Sequence, residues 1–271
     1  MPVFMEGMLG DALVQAIWIG GLAAVFGGLL GFSARKFAVE TDPRVERIAG
    51  FLPGANCAGC GFTSCGAFAE AVAAGSAAYN GCAPGGAAAA AGIAGVLGVS
   101  AEVADRKVAF VKCDGVDANV KLNYVYDGPK SCIAASELAG GGNKACAYGC
   151  LGLASCRNVC PFNAIRMVDG IAVIDGRKCT ACGKCVPVCP RSLIEIVPAR
   201  ASVRVLCRSQ DSVRVVKENC RAGCIGCMVC RKVCAHGAVS VERNVARIDP
   251  AKCVLCMECV RKCPLKAIKS M

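Results

Sequence analysis

Two cysteine runs near the C-terminus constrain this chain more than any other feature. Cys179, Cys182, Cys185 and Cys189 precede Pro190, and Cys253, Cys256, Cys259 and Cys263 precede Pro264, so each run reads C-x2-C-x2-C-x3-C-P. Each has a partner run upstream, Cys146, Cys150, Cys156 and Cys160-Pro161 for the first and Cys224, Cys227, Cys230 and Cys234 for the second. The 271 residues hold 24 cysteines and only 5% aromatic residues, so sulfur chemistry must replace much of a conventional core. Disulfides, structural zinc and iron-sulfur clusters are the three chemistries that use cysteine at this density. Disulfides need an oxidising compartment and give no reason for two copies of one run. Zinc sites favour separated C-x2-C pairs and often recruit histidine, yet His236 is the single histidine.

The run is the spacing by which bacterial ferredoxins hold [4Fe-4S] clusters through four thiolates, the fourth cysteine of each run ligating the other run's cluster. Carried over, that rule groups Cys146, Cys150 and Cys156 with Cys189, and Cys179, Cys182 and Cys185 with Cys160. In the second unit it groups Cys224, Cys227 and Cys230 with Cys263, and Cys253, Cys256 and Cys259 with Cys234. The run from Cys146 departs from the rule, with gaps of x3, x5 and x3, which leaves the choice of ligands around Cys146 and Cys150 open. Cys57, Cys60 and Cys65, with Cys82 beyond them, make one more set. The remainder, Cys113, Cys132, Cys207 and Cys220, amounts to a sixth cluster, against the alternative that some are buried free thiols. Cys113 and Cys207 sit alike, at the ends of β-branched segments.

The formal charge is +11 with every cysteine counted neutral. Each oxidised cluster with its four thiolates carries about −2, so six bring about −12 and leave the loaded chain near neutral. The basic excess therefore offsets cluster charge and does not require nucleic acid as a partner. No GxGxxG follows a strand, no phosphate-binding loop is present, and no Ser/His/Asp order stands out. Gly140 to Gly142 reads as a linker, His236 as a solvated or hydrogen-bonded side chain, and Asp105-Arg106-Lys107 as a solvated lead into a strand. No substrate-converting site is expected.

Residues 12 to 34 carry no charged side chain and are long enough to span a bilayer. Arg35-Lys36 follows, so the positive-inside rule puts the N-terminus outside and the rest in the cytoplasm. Gly27 and Gly31 form a small-xxx-small pair suited to packing against another span or to facing lipid. The charged segment Lys36 to Arg47 leads to the Cys57 set. A helix is expected over Ala67 to Ala74, and a small-residue helix from Gly85 to Val99 packed close to something bulky. VAFVKC, LNYVYDG and SVRVLC read as strands. AIRMVDGIAVID and AVSVERNVARID read as hairpins turning at Asp169-Gly170 and Arg243-Asn244. Pro161, Pro190 and Pro264 fix the turns after their cysteines; Ala235 stands where a proline would follow Cys234. The expected fold is α+β: an anchor (1–36), a small helical [4Fe-4S] domain (37–105), and two tandem two-cluster ferredoxin-like units (106–200 and 201–271). The Pro- and Gly-rich joints at Pro53-Gly54, Pro84-Gly85 and Gly140 to Gly142 allow these modules to swing.

The anchor, the ANCAGCGFTSCGAFAEA motif, the YGCLGLASCRNVCPFNAI segment and the C-terminal double ferredoxin occur in an order that resembles the B-subunit family of Rnf complexes. The resemblance covers nearly the whole chain. It implies a single-pass polyferredoxin arm in the cytoplasmic membrane, within an assembly that couples electron transfer between reduced ferredoxin and NAD to movement of Na+ or H+. It also implies soluble ferredoxin and flavin-bearing membrane proteins of the same complex as partners. A polyferredoxin component of another membrane complex, a hydrogenase or a reductase, and a zinc-rich interaction protein are the alternative readings.

Overall fold

The computed structural model describes residues 3–37, 42–101 and 105–271, with side chains of the first helix described from residue 17. Residues 38–41 of the charged segment and the side chains of residues 12–16 of the apolar stretch lie outside the described residues. The chain divides into two compact units, Met1–Pro43 and Arg44–Met271.

In the first unit, helix α1 runs Val3–Lys36. Its stretch Ile17–Lys36 is long and apolar enough to cross a membrane, by length and composition. Trp18, Leu22, Phe26 and Leu30 are exposed along it, which water disfavours in proportion to apolar area. Arg35 and Lys36 occupy the last turn, where cations complement the helix dipole.

The second unit opens with a helical module made of α2 (Pro43–Phe51), α3 (Cys65–Ala73) and α4 (Gly86–Leu97). Ile48, Phe68, Val72 and Ile93 form its buried core. The Ser64 hydroxyl accepts the Ala67 N–H and starts α3, while left-handed Gly98 ends α4. The small residues of α4 have a visible cause: the Phe51 ring fills the space a side chain at Gly92 would need.

Two repeats of one plan follow. In the first, β1 (Lys107–Val111) leads through α5 (Cys132–Ser136) and α6 (Ser155–Asn158) to the hairpin β2 (Ile165–Val168) and β3 (Ile171–Ile174), then to β4 (Ile194–Pro198). In the second, β5 (Val203–Val205) leads through α7 (Val213–Asn219) and α8 (Val229–Lys232) to the hairpin β6 (Val239–Glu242) and β7 (Val245–Ile248), then through α9 (Glu258–Lys262) to β8 (Ile268–Ser270). In both, the outer strands pair antiparallel, Lys107 opposite Pro198 and Val203 opposite Ser270, and the hairpin forms its own two-stranded ladder. The hairpin turns fall at Asp169-Gly170 (φ 43° and 76°) and Arg243-Asn244 (φ 46° and 63°). Two positive φ values in succession are what a tight two-residue hairpin requires. The repeats meet where the buried Arg204 guanidinium lies 4.9 Å over the Phe110 ring. The Asp114 N–H donates to the Leu206 carbonyl beside it.

Two expectations change and a third is sharpened. LNYVYDG is not a strand: it makes one isolated bridge, Leu122 with Lys144, and then turns, with the Tyr126 hydroxyl donating to the Pro129 carbonyl. Asp105-Arg106-Lys107 is exposed, as a solvated lead into a strand should be, and it is also held in place. Arg106 donates to the carbonyls of Gly176 and Arg177 at 2.6 and 3.1 Å, and Asp105 pairs with Arg200 at 3.2 Å, so both tie the start of β1 to the fold. Gly140 to Gly142 is a packed turn and not a joint. All three glycines have positive φ, the Arg191 guanidinium donates to the Gly141 carbonyl, and the Leu151 side chain fills the space beside Gly142.

Gly152 shows how closely each cysteine run is pressed on its hairpin, because a Cβ there would overlap the Gly170 carbonyl at a backbone φ of +76°. Gly226 meets Asn244 in the same way in the second repeat. Gly152→Ala should destabilise by about 2 kcal/mol or more. Gly176→Ala, with nothing within 4 Å, should leave the thermal unfolding midpoint unchanged, and comparing the two midpoints checks this.

Candidate metal centres

The thiols gather in fours, and local backbone structure sets each group. Cys65 is the first residue of α3, and its N–H donates to the Asn56 side-chain oxygen at 2.8 Å. This turns Cys57, Cys60 and Cys65 toward Cys82, whose sulfur accepts the Gly85 N–H. Cys179, Cys182 and Cys185 come together with Cys160. Cys179 accepts the Ala109 N–H from β1 at 3.3 Å, and Cys160 accepts the Ala164 N–H at 3.4 Å. Cys224, Cys227, Cys230 and Cys263 line one cavity, and Cys234, Cys253, Cys256 and Cys259 line another, with His236 in its wall.

The other two groups differ from the expected ones by one exchange. Cys146 does not join Cys150, Cys156 and Cys189; it lines a cavity with Cys113, Cys207 and Cys220. Cys132 does not join that group and instead lines a cavity with Cys150, Cys156 and Cys189. The physical reason lies in the repeat. Cys146, Cys150, Cys156 and Cys160 have the same mutual spacing as Cys220, Cys224, Cys230 and Cys234, but Leu153 stands where the second repeat has Cys227. The insertion between β1 and Cys146 supplies the missing thiol from the N-terminus of α5. Ser131 caps that helix, and the Cys132 N–H donates to the Ser155 hydroxyl at 2.8 Å, next to Cys156. The equal spacing is the signal in the sequence that pairs Cys146 with Cys220.

The group of Cys113, Cys146, Cys207 and Cys220 therefore takes matching positions from both repeats. Cys113 and Cys207 each lie two residues past the end of their strand, β1 and β5. Cys113 accepts the N–H groups of Gly115 and Cys150, both at 3.3 Å; Cys207 accepts those of Ser209 and Cys224. Cys146 accepts the Tyr148 N–H, and Cys220 those of Ala222 and Gly223. Backbone N–H groups aimed at sulfur stabilise thiolates and lower the electron density of a bound cluster.

Burial pushes the Cys156 thiol up to about 12, and the neighbouring Cys150, Cys132, Cys189 and Cys185 add to the rise. Burial likewise lifts Cys207 to about 12 against its two N–H donors, and lifts Cys185 and Cys230 to about 11. Thiols this desolvated need positive charge in their midst before they lose their protons. Among the described residues, no three His, Cys, Asp or Glu side chains converge on a point as the ligands of one metal ion do. Four thiols facing a shared cavity, with N–H donors to sulfur, fit a four-iron core held at its corners.

These features define an iron-sulfur electron-transfer protein of mixed helix and strand, with an N-terminal apolar helix. Two families described as “4Fe-4S dicluster domain” match residues 142–190 and 223–267, and one described as “Putative Fe-S cluster” matches residues 52–84. The chain is similar to the B subunit of the Na(+)-translocating ferredoxin:NAD(+) oxidoreductase complex of Acetobacterium woodii, at 43% identity over 96% of this chain and 78% of the relative. It is similar to the B subunit of the ion-translocating oxidoreductase complex of Methanosarcina acetivorans, at 38% identity over 96% of this chain and 99% of the relative. It is also similar to the B subunit of the proton-translocating ferredoxin:NAD(+) oxidoreductase complex of Clostridium ljungdahlii, at 40% identity over 92% of this chain and 89% of the relative. The chain belongs to this family, the B subunits of Rnf-type ion-translocating oxidoreductase complexes.

The raised thiol pKa values carry a pH dependence for the cluster-free chain. Folded Cys156 and Cys207 hold their protons to about pH 12, whereas unfolded thiols lose theirs near 9. The stability this gives is full below pH 9 and is lost as pH rises from 9 toward 12. Denaturant unfolding of the iron-depleted protein should show that decline, and the cluster-loaded protein, whose thiolates are already deprotonated, should not.

Proposed function

We propose that this chain carries single electrons through six [4Fe-4S] centres in an ion-translocating ferredoxin:NAD oxidoreductase, exchanging them with soluble ferredoxin at one end and with flavin-bearing membrane proteins of the complex at the other. Each cluster supplies a one-electron centre; the chain holds, spaces and tunes it. The six sets are Cys57, Cys60, Cys65 and Cys82; Cys160, Cys179, Cys182 and Cys185; Cys132, Cys150, Cys156 and Cys189; Cys113, Cys146, Cys207 and Cys220; Cys224, Cys227, Cys230 and Cys263; and Cys234, Cys253, Cys256 and Cys259.

The observation that carries the reading is that these sets form one contiguous series. Gly59, inside the first set, lies so close to Cys182 of the second that a Cβ would stand 2.8 Å from its carbonyl oxygen. Cys185 of the second neighbours Cys156 of the third. Cys150 of the third donates its N–H to Cys113 of the fourth. Cys224 of the fifth donates its N–H to Cys207 of the fourth, and Cys230 and Cys259 of the last two share one buried core. The repeats of outer strand, cysteine run, hairpin, cysteine run and outer strand support two tandem two-cluster ferredoxin-like units, 106–200 and 201–271, after the small domain 37–105 and the anchor 1–36.

The far end supports a docking port for the soluble carrier. Cys227 and Cys256 are exposed, and Met228, Val254 and Leu255 are exposed beside them. Residues 201–271 are rich in Lys and Arg and poor in Asp and Glu, which suits an acidic partner. Arg35-Lys36 after the apolar helix supports an N-terminus outside and cluster domains in the cytoplasm.

Iron quantification of the fully loaded chain should give about 24 atoms, and a value near 20 would remove one site. Single Cys-to-Ser variants read by EPR separate the two exchanged sets. Cys146→Ser should remove the same spectral component as Cys220→Ser, and Cys132→Ser the same component as Cys156→Ser. The reverse pairing would restore the grouping expected from the ferredoxin rule alone.

A further inference from the structure

Lys144 is only 2% exposed, one of the largest fully buried side chains in the protein. Its ammonium donates to the carbonyls of Gly115 and Gly170 at 2.7 and 2.8 Å. The nearest carboxylate, Asp117, is 3.7 Å away and more than half exposed. Burying a charge against neutral carbonyls is costly unless opposite charge lies close by. Two of the other charged groups at the same cavity have close partners: Lys112 pairs with Glu195 at 2.8 Å and Asp114 with Lys269 at 2.6 Å. Lys144 instead lines the cavity of Cys113, Cys146 and Cys220. Cys150 of the adjoining set donates its N–H to Cys113 at 3.3 Å, so that set lies next to the same charge. Beside the exposed Asp117 carboxylate, and Asp114 and Asp211 in the cavity wall, the thiolates lining the cavity and the net negative charge of a cluster they hold would set opposite charge against this ammonium.

The position is also asymmetric. Lys144 stands two residues before Cys146, and Glu218 stands two residues before Cys220 in the second repeat. Glu218 is exposed and pairs with Arg214 at the end of α7. The junction built from matching thiols of both repeats thus has a fully buried positive charge from the first repeat, against the half-buried Arg208 from the second.

We propose that Lys144 is a positioning residue for charge: a fixed buried cation that raises the reduction potentials of the centres at Cys113/Cys146/Cys207/Cys220 and Cys132/Cys150/Cys156/Cys189 relative to the others. The proposal rests on the six-centre reading above. A cation near a cluster stabilises its reduced, more negative form. An electron at the junction is therefore drawn toward the first repeat. A local tie between the Gly115 loop and the Gly170 turn is the competing role, and it would leave the potentials untouched.

The test is an EPR-monitored redox titration of the full, cluster-loaded chain, with Cys146→Ser and Cys132→Ser identifying the two components. Lys144→Met should move both midpoints to lower potential and leave the other four in place, and Lys144→Arg should restore them. Asp117→Asn, which removes the carboxylate paired with this ammonium, should move the same two midpoints upward. Unchanged midpoints in a Lys144→Met protein of wild-type iron content overturn the proposal. If Lys144→Met loses iron or fails to fold, Asp117→Asn decides, and the absence of an upward shift overturns it. Failure of the six-centre reading shows separately, as a missing component in the wild-type spectrum.

Discussion

The cysteine-bearing unit of this chain, residues 44–271, depends throughout on burying sulfur beside backbone N–H groups. A thiolate inside a protein is expensive, and metal charge together with short N–H donors is what offsets that cost. The fold is arranged to deliver those donors. Strand β1 offers the Ala109 N–H to Cys179, β7 offers the Ala246 N–H to Cys224, and left-handed or glycine positions beside each run turn further N–H groups inward. With so few aromatic side chains, the cores of the two repeats are themselves built partly from cysteine, Cys150, Cys156, Cys179 and Cys185 in one and Cys230 and Cys259 in the other.

Duplication explains both the regularity and its single break. Two copies of one strand-and-hairpin plan place equivalent thiols at a shared junction, which neither copy could complete by itself. Where the first copy lacks a cysteine, at Leu153, an insertion supplies one at Cys132. The same insertion brings Lys144 against the junction, so the two sides of a nearly symmetric centre differ in charge.

The glycines mark where the modules approach one another. Gly152 and Gly226 let the cysteine runs rest on the hairpin turns, and Gly59 lets the N-terminal set touch Cys182 backbone to backbone. Close approach between the first and second sets comes from the absence of a side chain at one residue. The apolar helix α1 forms a separate unit, and its exposed Trp18, Phe26 and Leu30 match a lipid environment.

The sequence by itself determined the class of chemistry, because C-x2-C-x2-C-x3-C-P spacing is a local property that keeps three thiols within reach of one another. It also determined the hairpins at Asp169-Gly170 and Arg243-Asn244 and the helices α3 and α4, since turn residues and caps act over a few neighbours. It read LNYVYDG as a strand because β-propensity was counted without a partner to pair with, and Gly140 to Gly142 as a joint because nothing local announces Arg191 and Leu151. Only the tertiary structure decided which group Cys132 and Cys146 each lie in. Cys132 and Cys146 are both acceptable donors, and the choice between them depends on where an insertion folds back and on how two repeats meet, which no short window of residues contains.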